Sequence, residues 1–321
     1  MRRTLTAVAS GALLALGLSA PTPAQAASCP ISVAQYGYDV NAAKQALAAV
    51  TSTCRTIVFP AGTYSFQGRF IIDRPSVRVL GRSGAVIQPK AGAGWSGGGM
   101  VHVTANGVTV SGLTLSHSLD KGIEVYDATG FTVSGNTVHH STSTGIHVLR
   151  SSGTVSGNRV YRSRSNGVDL HGALDTVVEG NRVYLNGAPR LPGGLPGGNE
   201  GNGILVYASQ RVRVLSNTVW NNSQGQPGSR DGIRLADNGA VDGELPTRYV
   251  TVSGNTIYDN QASGTQNYAI RIGTPYADRS TINYITVKNN TGWGNLRAGV
   301  FVSRMVPGAT YVSSGNSLKG R

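Results

Sequence analysis

The sequence is poor in acidic residues, in cysteine and in long apolar runs. Of its 321 residues only 15 are Asp or Glu, against 28 Lys and Arg, which gives a formal net charge of +13. A surface this basic favours an anionic partner, although a basic surface also serves solubility alone. The apolar run at residues 11–18 is too short to span a bilayer, and no later segment is more apolar. The sequence therefore predicts no membrane partner.

The N-terminus has the three parts of a secretory signal. Arg2 and Arg3 are basic, the apolar run follows, and residues 24–26 form a small-residue cleavage site. We therefore expect residues 1–26 to be removed on export and residues 27–321 to form one secreted domain. In an oxidising compartment the two cysteines, Cys29 and Cys54, are expected to form a disulfide. Two free buried thiols are the alternative, and two cysteines are too few ligands for a zinc site.

A repeated phrase is the strongest pattern in the chain. It consists of Gly-Ile-x-Val, a turn, Val-x-x-Gly-Asn-x-Val and an aromatic residue. Copies begin at Gly122, Gly145, Gly167, Gly203, Gly232 and Gly299, with Ala269 replacing Gly in one more copy. The first three lie 23 and 22 residues apart, which is enough for three short strands and three turns. Internal repeats of this length indicate a solenoid, so we predict an all-β fold, a right-handed parallel β-helix of about nine rungs.

An atypical segment precedes the repeats. Residues 41–50 are rich in Ala and predict a short helix with Asn41 as its N-cap. A solenoid needs its open end covered, so we expect residues 27–60 to form an N-terminal cap and a first strand. A helix followed by Phe-Pro-Ala-Gly-Thr-Tyr, residues 59–64, resembles the entry of many secreted pectate-lyase-like β-helix proteins. That resemblance implies the fold and leaves the substrate open.

Stacked rungs place equivalent residues in columns about 4.8 Å apart. Alternate residues of a strand face inward, so the Ile and the Val of Gly-Ile-x-Val should form the core. The repeated Asn is expected to form a stacked amide ladder, with these members: Asn136, Asn158, Asn181, Asn217, Asn255, Asn290 and Asn316. A column of rings is either a structural stack or a sugar platform, and comprises His139, Tyr161, Tyr184, Trp220, Tyr258 and Trp293.

Two outward columns are unusually rich in reactive side chains. The residue x of Gly-Ile-x-Val is in turn Glu124, His147, Asp169, Leu205, Arg234, Arg271 and Phe301. Two positions later stand Tyr126, Leu149, His171, Tyr207, Ala236, Gly273 and Ser303. Insertions that would wall a cleft over the later rungs are residues 187–202, 223–231, 237–248, 261–267 and 274–283. A groove along stacked parallel strands suits a linear polymer.

The residue types in these columns predict chemistry on a uronate sugar. Arg234 and Arg271 can pair with sugar carboxylates, while His147, His171 and Tyr207 can transfer protons. Neutralising the carboxylate stabilises the enolate-like intermediate that forms when the adjacent C5 proton is removed. Elimination of the 4-O-linked sugar then makes a lyase, and reprotonation from the other face makes a C5-epimerase.

A short motif adds a family resemblance. Gly167-Val168-Asp169-Leu170-His171 resembles the Tyr-Gly-x-Asp-Pro-His motif of mannuronan C5-epimerases, which share the β-helix with several alginate lyases. The resemblance implies that Asp169 and His171 lie at a catalytic centre. Asn166 replaces the family's Tyr and Leu170 its Pro, so Tyr207 becomes the substitute proton donor. Arg234 would be the family's later-rung Arg.

The leading prediction is a secreted lyase or epimerase that acts on an alginate-type polymer. His171 would abstract the C5 proton, Tyr207 would protonate the leaving oxygen, Arg234 would neutralise the carboxylate and Asp169 would orient them. The residues predicted to bind substrate are His147, Glu124, Arg271, Tyr126, Asn166 and Asp231. We expect that no cofactor is required. Ca²⁺ could bind at either of two sets of carboxylates, the first being Asp120, Glu124 and Asp127 and the second Asp237, Asp242 and Glu244. We expect an anionic polysaccharide as partner, no nucleic acid, and a monomer.

Three alternatives use the same columns. In a glycoside hydrolase, Glu124 and Asp169 would lie two rungs or about 9.6 Å apart, near the upper limit for inverting enzymes. Asp231 could pair with Asp169 in the same role. A second alternative is a β-helix that binds polysaccharide without changing it. The third is a surface ladder of ion pairs with little energetic value.

Overall fold

A computed structural model describes the chain over six stretches: residues 29–187, 201–224, 230–239, 244–273, 280–303 and 305–321. The predicted signal, residues 1–26, lies outside them. So do parts of four predicted insertions, namely residues 188–200, 225–229, 240–243 and 274–279. Within the described stretches, no helix combines the length and the apolar character needed to cross a membrane.

The described residues form three parallel sheets that run the length of the molecule, and this confirms the predicted parallel β-helix. Sheet 1 contains the strands Ile31–Ser32, Thr56–Phe59, Arg78–Gly81, Thr109–Ser111, Thr129–Ser134, Ser152–Ser156, Val177–Glu179, Arg213–Leu215, Arg248–Ser253, Asn283–Lys288 and Tyr311–Ser314. Sheet 2 contains Phe70–Ile72, Gly99–Val103, Lys121–Tyr126, Ile146–Leu149, Val168–His171, Ile204–Tyr207, Ile233–Ala236, Tyr268–Ile272 and Arg297–Val302. Sheet 3 contains Gly62–Phe66, Ala85–Pro89, Thr114–Ser116, Thr137–His139, Arg159–Tyr161, Arg182–Tyr184, Thr218–Trp220, Thr256–Tyr258, Thr291–Asn295 and Ser317–Gly320.

The core is filled by the inward residues of all three sheets. Ile123, Ile146, Val168, Ile204 and Ile233 are in register on successive strands of sheet 2 and are fully buried. β-Branched side chains pack well on a pleated surface and dominate these columns. The leading Gly of the repeat has a steric cause, since a Cβ on Gly122 would overlap the Val138 side chain and a Cβ on Gly145 that of Val160.

The predicted asparagine ladder is confirmed. Asn136 Nδ2 donates to Asn158 Oδ1 at 3.0 Å, and Asn158 repeats the bond to Asn181 at 3.0 Å. The bonds continue through Asn217, Asn255, Asn290 and Asn316. A second amide ladder, absent from the sequence prediction, joins Asn186, Asn222, Gln266 and Asn295. Both ladders satisfy buried turn groups that would otherwise be unpaired.

The segment before the repeats holds a 3-10 helix, Val33–Gln35, and an α-helix, Val40–Ala48. Asp39 is the N-cap of the α-helix, because its Oδ1 accepts a bond from Ala42 N at 2.8 Å. The predicted cap, Asn41, is wrong: it lies inside the helix. Cys29 and Cys54 form a disulfide with their Cα atoms 5.6 Å apart.

Candidate functional site

The two outward columns lie on sheet 2, as predicted. Strand register stacks Glu124 on His147, His147 on Asp169, Asp169 on Leu205 and Leu205 on Arg234. The second column stacks Tyr126, Leu149, His171 and Tyr207 in the same way. One rung before Glu124 stands His102, which the sequence analysis did not select. Its strand reads Gly-Met-Val-His-Val, and the alternation of Val101, His102 and Val103 was the signal that could have identified it.

Glu124 is the centre of a buried charge cluster. His147 Nδ1 lies 3.0 Å from Glu124 Oε1, and His102 Nδ1 lies 2.9 Å from Oε2. Gly99 N donates to Oε2 at 3.1 Å, and Lys121 Nζ lies 3.4 Å from Oε1. Burial alone would raise the pKa of Glu124, but its contacts with His102 and His147 and the Lys121 charge hold it well below its usual range. Glu124 is therefore ionised, fully engaged and only 4% exposed.

His171, Tyr207 and Glu244 form a second, open cluster. Glu244 Oε2 accepts a bond from the Tyr207 hydroxyl at 2.9 Å, and Oε1 lies 3.2 Å from His171 Nε2. The His171 and Tyr207 rings pack edge to face with centroids 4.7 Å apart. The His171 side chain is 39% exposed and that of Glu244 28%, so both are accessible to a ligand. The sequence indicates Glu244 only as a Ca²⁺ ligand, because nothing in a loop sequence shows which strand the loop will cover.

An open cavity of about 390 Å³ adjoins this cluster. Its lining includes Leu149, Arg150, His171, Leu174 and Glu244. The cavity follows the turn that leads from sheet 2 to sheet 1. It gives a ligand direct access to His171.

Arg150 and Tyr126 form the edge of the site one to two rungs earlier. The Arg150 guanidinium binds both Asp127 carboxylate oxygens, at 2.8 and 2.9 Å, and also contacts the Tyr126 hydroxyl. It lies over the Tyr126 ring, 4.7 Å from the centroid. Tyr126, predicted to bind substrate, thus faces the groove with an arginine fixed beside it.

Asn166 lies beneath the column rather than on its surface. It is fully buried, and its Nδ2 donates to Asp169 Oδ2 at 2.9 Å. Its Oδ1 accepts a bond from Asn202 Nδ2 at 3.1 Å. The residue predicted to touch substrate therefore acts on the carboxylate of Asp169.

Asp231 is also enclosed, in the turn before strand Ile233–Ala236. It has no accessible surface, and its Oδ1 accepts a bond from Tyr268 N at 3.1 Å. Burial raises the pKa of Asp231 to about 6, against the lowering effect of the Arg271 and Arg234 charges. Arg234 and Arg271 are in register on the following strands and partly buried, with Arg271 5.4 Å from the Phe301 ring centroid.

Of the carboxylates considered for Ca²⁺, Asp242 lies outside the described residues, and Asp120 and Asp237 make internal hydrogen bonds. Asp120 Oδ2 accepts from Gly98 N at 2.9 Å, and Asp237 Oδ2 accepts from the Thr281 hydroxyl at 2.8 Å. Among the described residues, no group of three or more His, Cys, Asp or Glu side chains is arranged to hold a metal ion. A role for Ca²⁺ stays a prediction.

The predicted aromatic column is a continuous stack on sheet 3. Rings from His139 to Trp293 lie nearly parallel, with successive centroids 4.1 to 5.7 Å apart. Each inner ring has both faces covered by its neighbours, which leaves only edges for a ligand. This arrangement favours the structural interpretation over a sugar platform.

Comparisons with known proteins agree with the fold. The chain matches the family model described as "Right handed beta helix region" over residues 98–268. No curated protein sequence matches it significantly.

Three solved structures are similar. The catalytic unit of a thermostable GH87 alpha-1,3-glucanase from Streptomyces thermodiastaticus strain HF3-3 is 17% identical, covering 92% of this chain and 70% of that one, with a TM-score of 0.56. Pectate lyase Pel9A is 18% identical, covering 82% and 72%, with a TM-score of 0.50. The A-module of mannuronan C-5 epimerase AlgE6 from Azotobacter vinelandii is 15% identical, covering 90% and 99%, with a TM-score of 0.41. At these identities the likeness concerns the fold alone.

Proposed function

Because the chain belongs to the family of right-handed beta helix regions, we propose that sheet 2 binds a linear polysaccharide. We propose further that the protein is a secreted lyase that cleaves a uronate polymer of alginate type by β-elimination. One observation carries this proposal: His171 and Tyr207 converge on Glu244 beside an open cavity, with Arg234 on the strand after Tyr207. A base and an acid thus meet at one carboxylate beside the cavity, and the proposed cation stands on the next strand of the sheet.

The first step is removal of the C5 proton. If His171 Nε2 donates its hydrogen to Glu244 Oε1, the other ring nitrogen, Nδ1, is the basic atom. Nδ1 takes the proton, and the C–H electron pair moves into the sugar carboxylate. Arg234 neutralises the charge that develops there, and Glu244 stabilises the imidazolium. Asp169, held by Asn166, orients these groups from the floor of the groove.

The second step breaks the bond between C4 and the bridging oxygen. The electron pair on C5 forms the C4–C5 double bond, and Tyr207 donates its hydroxyl proton to the leaving oxygen. Glu244 holds this hydroxyl and can guide proton return from solvent. Reprotonation of C5 from the opposite face, in place of bond cleavage, would give an epimerase with the same residues.

The hydrolase alternative loses two of its three proposed carboxylates, Glu124 and Asp231, and keeps Asp169. A general acid must carry a proton and reach the glycosidic oxygen. Glu124 is ionised and bound on both oxygens, and Asp231 has no accessible surface. Neither one can act on a sugar in the groove without rearrangement.

The disulfide and the basic charge fit the proposed extracellular setting and anionic partner. Disulfides persist in oxidising compartments. The net charge of +13, or +11 once Arg2 and Arg3 of the signal are removed, raises the local concentration of a polyanion. We propose a monomer that acts outside the cell and binds no nucleic acid.

The test uses the mature chain, residues 27–321, with alginate, pectate and glucuronan, in the presence and absence of Ca²⁺. A rise in the ultraviolet band of a 4,5-unsaturated uronate is the expected result. His171→Ala should lower the rate by about 10²- to 10⁴-fold. His140→Gln, at a corner of sheet 3, is the matched control and should keep full activity.

Samples without a rise go to reducing-end and proton NMR analysis. New reducing ends would replace the lyase by a hydrolase, and inverted C5 centres would replace it by an epimerase. Binding without any chemical change would leave a non-catalytic polysaccharide-binding protein.

A further inference from the structure

Two tyrosines form an exposed stack outside the groove. Tyr249 and Tyr284 are the second residues of neighbouring strands of sheet 1 and lie between the register pairs Arg248 with Asn283 and Val250 with Ile285. Their rings are nearly parallel, with centroids 4.7 Å apart, and are 52% and 43% exposed. The pair lies apart from the aromatic stack of sheet 3.

The backbone at both positions is unfavourable for tyrosine. Tyr249 has φ 57° and Tyr284 has φ 51°, in the left-handed region that side chains with a Cβ avoid. Two earlier rungs place glycine at the equivalent corner, Gly107 and Gly130 with φ 69° and 67°, while Asp175 and Arg211 occupy it with φ 45° and 54°. Bulky aromatic residues therefore stand where glycine would fold more easily.

The stack is continuous with the corner that holds the cavity. Asp175 and Arg211 precede Tyr249 in the same column and are joined by two bonds of 2.6 and 2.8 Å. Leu174, next to Asp175 in the chain, lines the cavity beside His171. At a rung spacing of about 4.8 Å, Tyr249 lies two rungs from Asp175. A polymer that leaves the cavity along this corner reaches the tyrosines within a few sugar units.

We propose that Tyr249 and Tyr284 form a secondary binding site for pyranose rings of a polysaccharide. The C–H face of a pyranose is apolar and covers aromatic surface that is otherwise hydrated, while the phenol hydroxyls can bond to sugar hydroxyls. The site holds the chain outside the groove and takes no part in bond cleavage. Its ligand class rests on the proposed function, whereas its location does not.

The test removes the rings without harming the backbone. In Tyr249→Gly/Tyr284→Gly the left-handed corners gain glycine, so the melting temperature should stay the same or rise. Retardation in native gels that contain alginate should weaken about tenfold. Tyr249→Phe/Tyr284→Phe keeps the stack and should retain most of the retardation. Trp293→Ala, a substitution of an exposed ring on sheet 3, should change nothing.

Four outcomes would overturn the site. These are full retardation of the glycine variant, a fall in its melting temperature, a change from dimer to monomer on size exclusion, and no retardation of the wild type by alginate or pectate. Loss of a dimer in the glycine variant would show that the two tyrosines contact a second copy of the chain. The proposed lyase is judged separately, by elimination on short oligouronates, which the glycine variant should perform at the wild-type rate. His171→Ala should lose that activity and keep its retardation.

Discussion

The Tyr207 hydroxyl donates a hydrogen bond to Glu244 Oε2 at 2.9 Å, although the two residues are 37 positions apart in the chain. Tyr207 comes from a strand of sheet 2, and Glu244 from the insertion that follows the next strand. The rigid rung sets the position of the phenol, and the loop brings the carboxylate to it. Glu244 also faces His171, so one loop residue links the proposed base with the proposed acid.

Glu244→Gln should lower kcat about 10²-fold and change KM less than about threefold. In the proposed mechanism, a neutral amide no longer stabilises the imidazolium that forms when His171 takes the C5 proton. Initial rates on the preferred polyuronate measure the change. Glu244→Asp keeps the charge and should recover part of kcat, and the melting temperature of both variants should match the wild type. An unchanged kcat in Glu244→Gln would remove this residue from the mechanism.

Glu124→Gln should destabilise the fold by about 2 kcal/mol, because bonds to a charged acceptor are lost. The pKa of Glu124 is lower in the folded chain than its ordinary value of 4.5, so the stabilisation is complete above that value. It is lost as the pH falls towards the folded pKa. The free energy of unfolding, measured with denaturant between pH 3 and pH 7, should therefore fall less towards acid pH in Glu124→Gln than in the wild type. Parallel curves for both proteins would contradict the assignment.

His139→Tyr should make the protein more resistant to mild acid. Burial, followed by the charges of His140 and His117, lowers the pKa of His139 to about 4 from 6.5. The unfolded chain then binds more protons between these values, so stability falls as the pH drops through that window. Because the ring is only half buried, solvent screening limits the effect to about 1 kcal/mol.

The tyrosine continues the stack on Tyr161 and does not titrate in this range. The melting temperature of the variant should therefore fall less than that of the wild type between pH 6.5 and pH 4. His171→Gln, which alters an exposed histidine on sheet 2, is the control for removing an imidazole. Equal falls in the wild type and His139→Tyr would show that His139 does not contribute.

Asp231→Asn should stabilise the fold by about 2 kcal/mol above pH 6, which is the usual cost of a buried acceptor without a hydrogen bond. Asp231 N donates to Asn202 Oδ1 at 3.1 Å, as Asn202 N does to Asn166 Oδ1 at 3.0 Å. Asn202 Nδ2 also donates to Asn166 Oδ1, whereas Asp231 Oδ2 has no hydrogen-bond partner among the described residues. An amide nitrogen there would donate to Asn202 and extend the ladder.

The pH dependence of folding stability shows the direction in which Asp231→Asn acts. The pKa of Asp231 rises from 3.8 to about 6 on folding, so the folded chain binds more protons between these values. Wild-type stability therefore falls as the pH rises through that window, and Asp231→Asn removes this part of the fall. Thermal unfolding at pH 4 and pH 7 measures it. A variant less stable than the wild type at pH 7 would contradict the ladder interpretation.

The columns of sheet 2 could be predicted from the sequence because the repeat fixes register. A strand has a side-chain period of two, so aligning Gly-Ile-x-Val also aligns every outward residue. Glu124, His147 and Asp169 therefore fell into their true order. Exposure could not be predicted in the same way. Glu124 points away from the core, yet Lys121, His102 and His147 surround it.

Loop residues and caps were the weaker part of the prediction. Glu244 reaches His171 through a turn that has no repeat to align, so no pattern indicated the contact. Asp39 and Asn41 are both good N-caps by residue type, and only backbone geometry decides between them. Asn166 was selected from a motif comparison, but its turn position buries it in an amide pair.

The glycine that opens each strand of sheet 2 has a consequence for how such a protein can evolve. Gly122, Gly145 and Gly167 each make room for a valine side chain from sheet 3, so glycine and valine form one steric unit. Duplication of a gene segment one rung long copies that unit together with its asparagine. The new rung would contain the glycine, valine and asparagine that let it fold, while its outward residues remain free to mutate. Length and chemistry can then change independently, which lets a lineage extend the outward surface of sheet 2 by one row of side chains while the core stays the same.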